Sequence, residues 1–464
     1  MRLIHYLLGR RGFANLFSKF TLDLNLAKRG KRGRLRLRVL LAGCLLVILT
    51  TADLFSAELH LGVTRKEATK IPLGIVKIDM GPALEQQFSL LQSVLETDLT
   101  RSLVFNLVDT DPLLIKEQSR SPNNALIKRL GAAGIEVLLW LSLTQRGNDL
   151  VLEARVYDGT SGQSVFSKRY LAQAPFLRAI VHRLADELVL QYTGQPGIAE
   201  TRIAYTLDKS GQKEIYLMDY DGYNPRRITG DRSLDLFPRW SPDGKSLVYT
   251  SYRDGRPEIF LLDLPTGNRR KMVSFPGLNI SGAWSPQGTL MAFATTKDGD
   301  AEIYTVDPEG KKFQRLTVSP GDDISPSWSP SGREIVFTSD RGGSPQIYIM
   351  NSNGGDVRRL TFEGDYSTSP VWSPKGDLIA YACRVEDLIM KICLIQPDGS
   401  GFVQFNTGSG DAESPSWAPD GRHLVFSSIR DGNSQLYLIN LDGTGLERLT
   451  KEAVNLTGPA WSPN

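Results

Sequence analysis

The chain reads as multidomain: a small two-layer α/β domain followed by an all-β propeller of six blades, closed by pairing its first and last strands. Three observations predict this. Trp240-Ser-Pro, Trp284-Ser-Pro, Trp328-Ser-Pro, Trp372-Ser-Pro, Trp417-Ala-Pro and Trp461-Ser-Pro recur at spacings of 44, 44, 44, 45 and 44 residues. A period of this length and regularity marks repeated units that bury their apolar faces only against one another. Before the first Trp lies a unit without its Trp strand, and after the last Trp the chain stops at Asn464. The two fragments complete each other. The third observation is the change of pattern between residues 71 and 197, where helical spacing alternates with strand runs.

Within one unit, W-SPDGK-SLVYTS-YRDGRP-EIFLLD-LPTGN-RRKMVS, short apolar or β-branched runs alternate with Gly, Asp and Pro clusters. This is the pattern of strands joined by tight turns, about four to a unit. Asp243-Gly244 and Asp254-Gly255 favour turns with positive φ. Nine residues after the first five tryptophans stand Tyr249, Phe293, Phe337, Tyr381 and Phe426. Eleven further on are Phe260, Tyr304, Tyr348, Ile392 and Tyr437. An aromatic needed by every unit is a core residue between stacked sheets. Tyr205 and Tyr216 hold these positions in the incomplete unit. Pairing the Trp461 strand with the stretch near Tyr205 shuts the ring and hides edges that would recruit other chains.

In the segment before the propeller, Leu73-GIVKI and Val104-FNLVD read as strands, and Glu85 to Leu103 and Asn124-ALIKRLG as helices. Glu136–Gln145, Asp149–Asp158 and Gln163–Ala172 read as three strands, and Phe176 to Tyr192 as a final amphipathic helix. Helices on one mixed sheet make a two-layer α/β domain. The domain boundaries are a leader over 1–57, a mature N-terminal segment over 58–70, the α/β domain over 71–197 and the propeller over 198–464.

The net charge of +3 is unevenly spread. Residues 1–57 carry eleven Lys or Arg against Asp23 and Asp53, a net of +9, which leaves −6 for the rest. The body therefore has no nucleic-acid footprint. Lys31 to Arg38 is basic, Val39 to Ala52 is uncharged, and Ser56-Ala57 are small. This is the pattern of a secretory signal peptide cleaved after Ala57. The apolar run is shorter than the roughly 20 residues of a membrane span. Arg10-Arg11 and the lipobox-like Leu41-Ala-Gly-Cys44 each lack the context their export motifs require.

Export leaves Cys383 and Cys393 on the two strands of one hairpin. A cross-hairpin disulfide and a pair of packed thiols are both open. Of the four histidines, His182 reads as structural and His423 as exposed. None belongs to a zinc pattern, and no nucleophile elbow or phosphate loop is present. Five residues before three tryptophans stand Asp235, Asn279 and Asp323. Asp365 lies on the approach to the fourth, and Asp411 and Asn455 stand six before theirs. If the Trp strand is innermost, this set borders the channel mouth. Clustered carboxylates repel unless a cation sits among them, so a cationic peptide or a Ca²⁺ ion is the ligand class they imply. Turn-forming Asp and Asn recurring for structural reasons is the competing explanation. No other cofactor is expected.

Several motifs together resemble the TolB family of the Tol–Pal envelope system. They are SPDGK at 241–245, RDG at 253–255 and 430–432, EIY at 214–216, Asp98-Leu-Thr-Arg-Ser102 with Phe105, His182-Arg-Leu-Ala-Asp186, and Thr193-Gly194 leading to Arg202-Ile-Ala-Tyr205. Glu58-Leu-His-Leu, read as the mature start, belongs with them. The resemblance implies a monomeric, non-enzymatic periplasmic adaptor. It binds the lipoprotein Pal on the propeller face, so touching the outer membrane peripherally, and binds TolA through its N-terminal segment. The implied role is outer-membrane integrity during cell division. Carried over, Glu58, Leu59, His60, Leu61, Gly62, Val63 and Thr64 form the TolA segment, and the six channel-mouth residues border the Pal face. The chain departs from the family in its long leader and in Val385-Glu-Asp387, which replaces an Asp-Gly turn. The alternative is an exported propeller that binds, or acts on, peptide or carbohydrate ligands.

Overall fold

The computed structural model describes residues 69–464 apart from 78–81, 115–121, 210 and 386–387. The α/β domain runs β1 (Ile71–Lys77), α1 (Glu85–Arg101), β2 (Phe105–Val108), a one-turn α2 (Asp111–Leu114), α3 (Asn124–Ala132), β3 (Val137–Arg146), β4 (Asp149–Asp158), β5 (Ser164–Gln173) and α4 (Leu177–Thr193). The sheet order is β2-β1-β3-β4-β5, with β1 parallel to both neighbours and the other pairs antiparallel. Leu91, Leu95 and Leu99 of α1 and Val181, Leu184 and Leu188 of α4 share one core with alternate residues of β3 and β4. The smaller α3 covers Leu138 and Trp140 in a separate cluster that also takes in Leu126, Ile127 and Leu130. Local chemistry sets the helix ends. The Asn123 side chain accepts the Leu126 amide at 2.9 Å, an N-cap, and Gly194 ends α4 at φ 70°.

The propeller has six four-stranded blades. Blade one is composite. Its inner strand, Asn455–Trp461, comes from the end of the chain and pairs with β6 (Arg202–Lys209), which pairs with β7 (Gln212–Asp219) and then β8 (Arg226–Arg227). Trp461 stands opposite Ile203, and Tyr205 opposite Tyr216. The ring is thus closed by the pairing expected from the sequence. Blades two to six begin with the inner strands Asp235–Trp240, Asn279–Trp284, Asp323–Trp328, Tyr366–Trp372 and Asp411–Trp417.

Tyr205, Tyr249, Phe293, Phe337, Tyr381 and Phe426 are all fully buried. Each buried ring of this size stabilises by about 2–3 kcal/mol. The register of blade five differs from the 44-residue rule. Tyr381 pairs with Cys393, not Ile392, because this hairpin carries one extra residue. Cys393 therefore occupies the place of Phe260, Tyr304, Tyr348 and Tyr437. Cys383 lies opposite Lys391, so the two cysteines are diagonal neighbours and do not stand face to face. Their sulfurs are bonded, with Cα atoms 5.9 Å apart. The Val385-Glu-Asp turn falls largely outside the described residues.

Two repeating devices lock the blades. Thr229, Thr317, Thr361 and Thr450 each donate to a buried Glu214, Glu302, Gln346 or Gln435 on the third strand. Each also accepts an amide from that strand. The hydroxyl thereby satisfies a buried acceptor and a buried donor together. In the inner strands, the pairing slips between the two residues flanking a bulge. Phe237, Ser325, Ser369 and Ser414 stand there at φ 53–56°, with Gly458 at the same place in blade one.

Candidate partner-binding face and channel

The inner strands touch one another in sequence around the ring and surround the channel. Their Trp ends lie at one rim and their starts at the other. The α/β domain sits at the Trp-end rim, on blades one and six. Arg101 pairs with Glu447, and Arg422 Nη1 donates to the Ser102 carbonyl at 3.3 Å. Tyr220 donates to Asp98 at 2.6 Å, and Arg178 pairs with Asp221. One hydrophobic core continues across this boundary through Ile198, Ile203, Met218 and Tyr220. The opposite rim carries the inner-strand starts and the hairpins between second and third strands. Val318, Phe362 and Leu388 stand exposed there.

The candidate residues at that rim divide into three kinds. Asp235, Asn279 and Asp323 are wholly buried. Asn279 donates to the Pro257 and Phe275 carbonyls and accepts the Thr295 hydroxyl. Asp323 accepts from Arg341 at 2.6 Å. The Asp235 carboxyl lies by the Ser251 and Thr229 hydroxyls. Burial pushes the Asp235 and Asp323 carboxyls up from the usual range. Asp411 and Asn455 form a second kind, with a different register. They accept the amides of Met390 and Ser434 in the preceding blade, as Asp322 does for Ala301. Asp365 is exposed and holds Arg384 in a bidentate pair at 2.9 and 3.0 Å. Its carboxyl is held below the usual range by that guanidinium.

These side chains do not converge on one opening. Each is spent inside its blade or at a blade junction. Among the described residues no group of three His, Cys, Asp or Glu side chains is placed to hold a metal ion. Spacing along the strand says nothing about which way a side chain turns. Glu58–Thr64 lie outside the described residues.

His423 departs from the exposed position expected of it. It is fully buried, with Nδ1 2.9 Å from Asp420, inside the turn that follows Trp417. His182 is buried as well, with Nδ1 2.8 Å from Asp98. Burial alone would push the His182 pKa down, but the hydrogen bond and charge of Asp98 and the charge of Asp221 carry it upward. The Asp98–His182–Tyr220 cluster was not identifiable from spacing, since its members lie 84 and 122 residues apart.

Residues 189–464 match the family model described as the TolB beta propeller domain, and residues 59–165 match the TolB amino-terminal domain. The chain belongs to the TolB family. It is similar to the Tol-Pal system protein TolB of Geobacter sulfurreducens, with 38% identity over 214 residues, 46% of this chain and 49% of that one. It is also similar to the TolB homolog of Chlorobaculum tepidum, 36% identical over 187 residues, 40% of this chain and 42% of the relative. These matches span about half of the relatives' length. The fold is similar to the crystal structure of TolB from Acinetobacter baumannii, with a TM-score of 0.72 and 29% identity, covering 85% of this chain and 97% of that one. Among the described residues no helix is long and apolar enough to cross a membrane.

Proposed function

We propose that this chain is a non-enzymatic periplasmic adaptor of the Tol–Pal system, taking Pal on the free rim of the propeller and TolA through residues 58–64. The observation that carries the reading is the match to both TolB domain models in the same chain and in order. Relatives named as Tol-Pal system proteins support it. The rim opposite the α/β domain suits a protein partner. Among the described residues no other domain covers it, its exposed Val318, Phe362 and Leu388 offer apolar contact, and Asp365 and Asn455 are exposed polar residues on the same rim. Asp411 is half-buried there, and the buried Asp235, Asn279 and Asp323 support the rim from within.

The test is affinity capture of purified Pal and the C-terminal domain of TolA by the exported protein. Deleting residues 58–64 is expected to abolish TolA capture and leave Pal capture intact. Phe362→Asp is expected to weaken Pal capture at least tenfold, the ordinary cost of losing an interface anchor. Loss of Pal on the deletion, with TolA retained, would reverse the division of labour. Capture of neither partner by the wild-type protein would end the adaptor reading.

A further inference from the structure

Six residues stand in register immediately before the six tryptophans: Arg239, Ala283, Ser327, Val371, Ser416 and Ala460. The two serines reveal where this layer lies. Ser327 Oγ accepts the Trp372 amide at 3.1 Å, and Ser416 Oγ accepts the Trp461 amide at 2.9 Å. The next amides along, Ser373 and Ser462, donate to Leu378, directly before the second strand of blade five, and to Arg202 on the second strand of blade one. Amides alternate along a strand, so the Trp372 and Trp461 N–H groups point to the opposite edge. On an inner strand that edge is the channel. The residue before each Trp therefore lines the bore, between its own inner strand and the next.

Arg239 is the one charged residue of this layer. Its Nη1 donates to its neighbour's carbonyl, Pro238, at 2.9 Å. Among the described residues no carboxylate pairs with it. The side chain is half-buried, yet burial holds its pKa down to about 10 and no opposing charge offsets the effect. The guanidinium is thus closely surrounded by protein atoms and still reached by solvent. At neutral pH it remains a cation. An unpaired charge in such a place is costly.

A second donor is orphaned at the same junction. The indole N–H groups of Trp240, Trp328 and Trp417 donate to carbonyls of the preceding blade, those of Ala460, Ala283 and Val371. Trp284, which follows the Arg239 strand, has a buried Nε1 with no acceptor. Trp372 Nε1 also lacks one, but the layer residue of the preceding blade there is Ser327, not a cation. Among the described residues, only the junction of blades two and three combines an orphaned indole N–H with an unpaired guanidinium.

We propose that the propeller channel binds a small oxyanion, of the carboxylate or phosphate class, on the Arg239 guanidinium. The planar fork matches a pair of oxyanion oxygens. The bore then takes an anion, whereas the recurring Asp and Asn residues suggested a cationic peptide or Ca²⁺, or turn-forming roles alone. The site does not depend on which proteins dock at the rim.

The experiment is calorimetric titration of the purified protein with inorganic phosphate and, separately, acetate, with chloride holding ionic strength constant. Saturable binding of one or both is expected, with a melting temperature that rises as the anion is added. Phosphate alone binding identifies the phosphate class, and acetate binding admits carboxylates. Arg239→Met is expected to remove the binding. In chloride it should melt no lower than wild type, because an uncompensated charge has been taken away. Arg239→Lys keeps the charge without the fork and is expected to weaken binding about tenfold. That variant decides the matter if Arg239→Met fails to fold. Absence of saturable binding to wild type, or equal binding by a folded Arg239→Met or Arg239→Lys protein, overturns the proposal.

Discussion

Asp98 accepts the hydroxyl of Tyr220 at 2.6 Å, joining helix α1 of the α/β domain to the turn after β7 of the propeller. The other carboxylate oxygen meets His182 Nδ1 from α4. The Arg101 guanidinium stands 5.5 Å from the Tyr220 ring centroid and also reaches Glu447 of blade six. Three elements of the α/β domain's interface thus depend on a single carboxylate that is itself buried. Inter-domain surfaces within a chain otherwise tend to allow relative motion. This one is pinned by polar groups with few alternative partners.

Asp98→Ala is expected to destabilise the protein by about 3 kcal/mol, because it leaves a buried hydroxyl and a buried imidazole without their acceptor. Tyr220→Phe removes one hydrogen bond and should cost about 1–2 kcal/mol. Urea denaturation followed by tryptophan fluorescence measures both. If Asp98→Ala costs no more than Tyr220→Phe, the carboxylate is not the common anchor.

His182 links this interface to pH. Its folded pKa lies above the ordinary value near 6.5, so the folded state holds the proton more tightly than the unfolded chain. The groups facing it are Asp98, Asp221, Arg178 and Tyr220. The stabilisation is fully present below the unfolded pKa and is lost as pH rises through the folded one. Denaturation midpoints should therefore fall as pH is raised from about 6 toward 8. His182→Gln should flatten that slope. A slope unchanged by the substitution assigns the effect to other groups.

Repetition made most of the fold legible, and the gaps have a physical pattern. A 44-residue period announces blades because every blade needs the same core aromatic, so Tyr249 and Phe293 appear in register with no structure in hand. The rule failed at Ile392, where one inserted residue in a hairpin moved the core position to Cys393. It also grouped Asp235 with Asp411, although pairing puts Asp411 one residue earlier than Asp235, opposite Ile429 at the end of its strand. A one-residue shift turns a strand side chain to the other face; Phe237 and Ser414 mark the same bulge three residues before Trp240 and Trp417, so the spacings of five and six residues already separated the two aspartates. The domain interface was illegible for a different reason. Asp98, His182 and Tyr220 meet only through tertiary packing. Arg239 could have been found: aligned on Trp, it is the odd residue in a layer of small ones.

The disulfide of blade five yields a separate expectation. Cys393 replaces the second aromatic of the pair that every other blade keeps, and Cys383 lies diagonally beside it. A covalent link over a sequence separation of 10 residues should stabilise by about 2–3 kcal/mol. Reduction, or Cys383→Ser with Cys393→Ser, is expected to lower the urea midpoint accordingly. Alkylation of the unfolded, unreduced protein should label neither residue. Full labelling of both before reduction would mean the thiols are free.

Ring closure gives the largest expected effect. The strand Asn455–Trp461 contributes Leu456 and Trp461 to a shared core, and its backbone pairs with β6 from Asp208 to Ile203. Trp461 also donates its indole N–H to Thr201 at 2.8 Å and its amide to Ser416 at 2.9 Å. Trp461→Ala removes one side chain and should cost about 3–5 kcal/mol while leaving a closed, monomeric ring. Ending the chain after Val454 removes the whole strand. It bares the β6 edge and the inner face of blade six, so association as well as lower stability is expected. Size-exclusion chromatography and thermal melts distinguish the two variants. A synthetic peptide of residues 455–464 should raise the melting temperature of the truncated protein, since it supplies the missing strand to an edge that pairs with nothing else. A truncated protein that stays monomeric and melts with the full chain would show that blade one holds without its last strand.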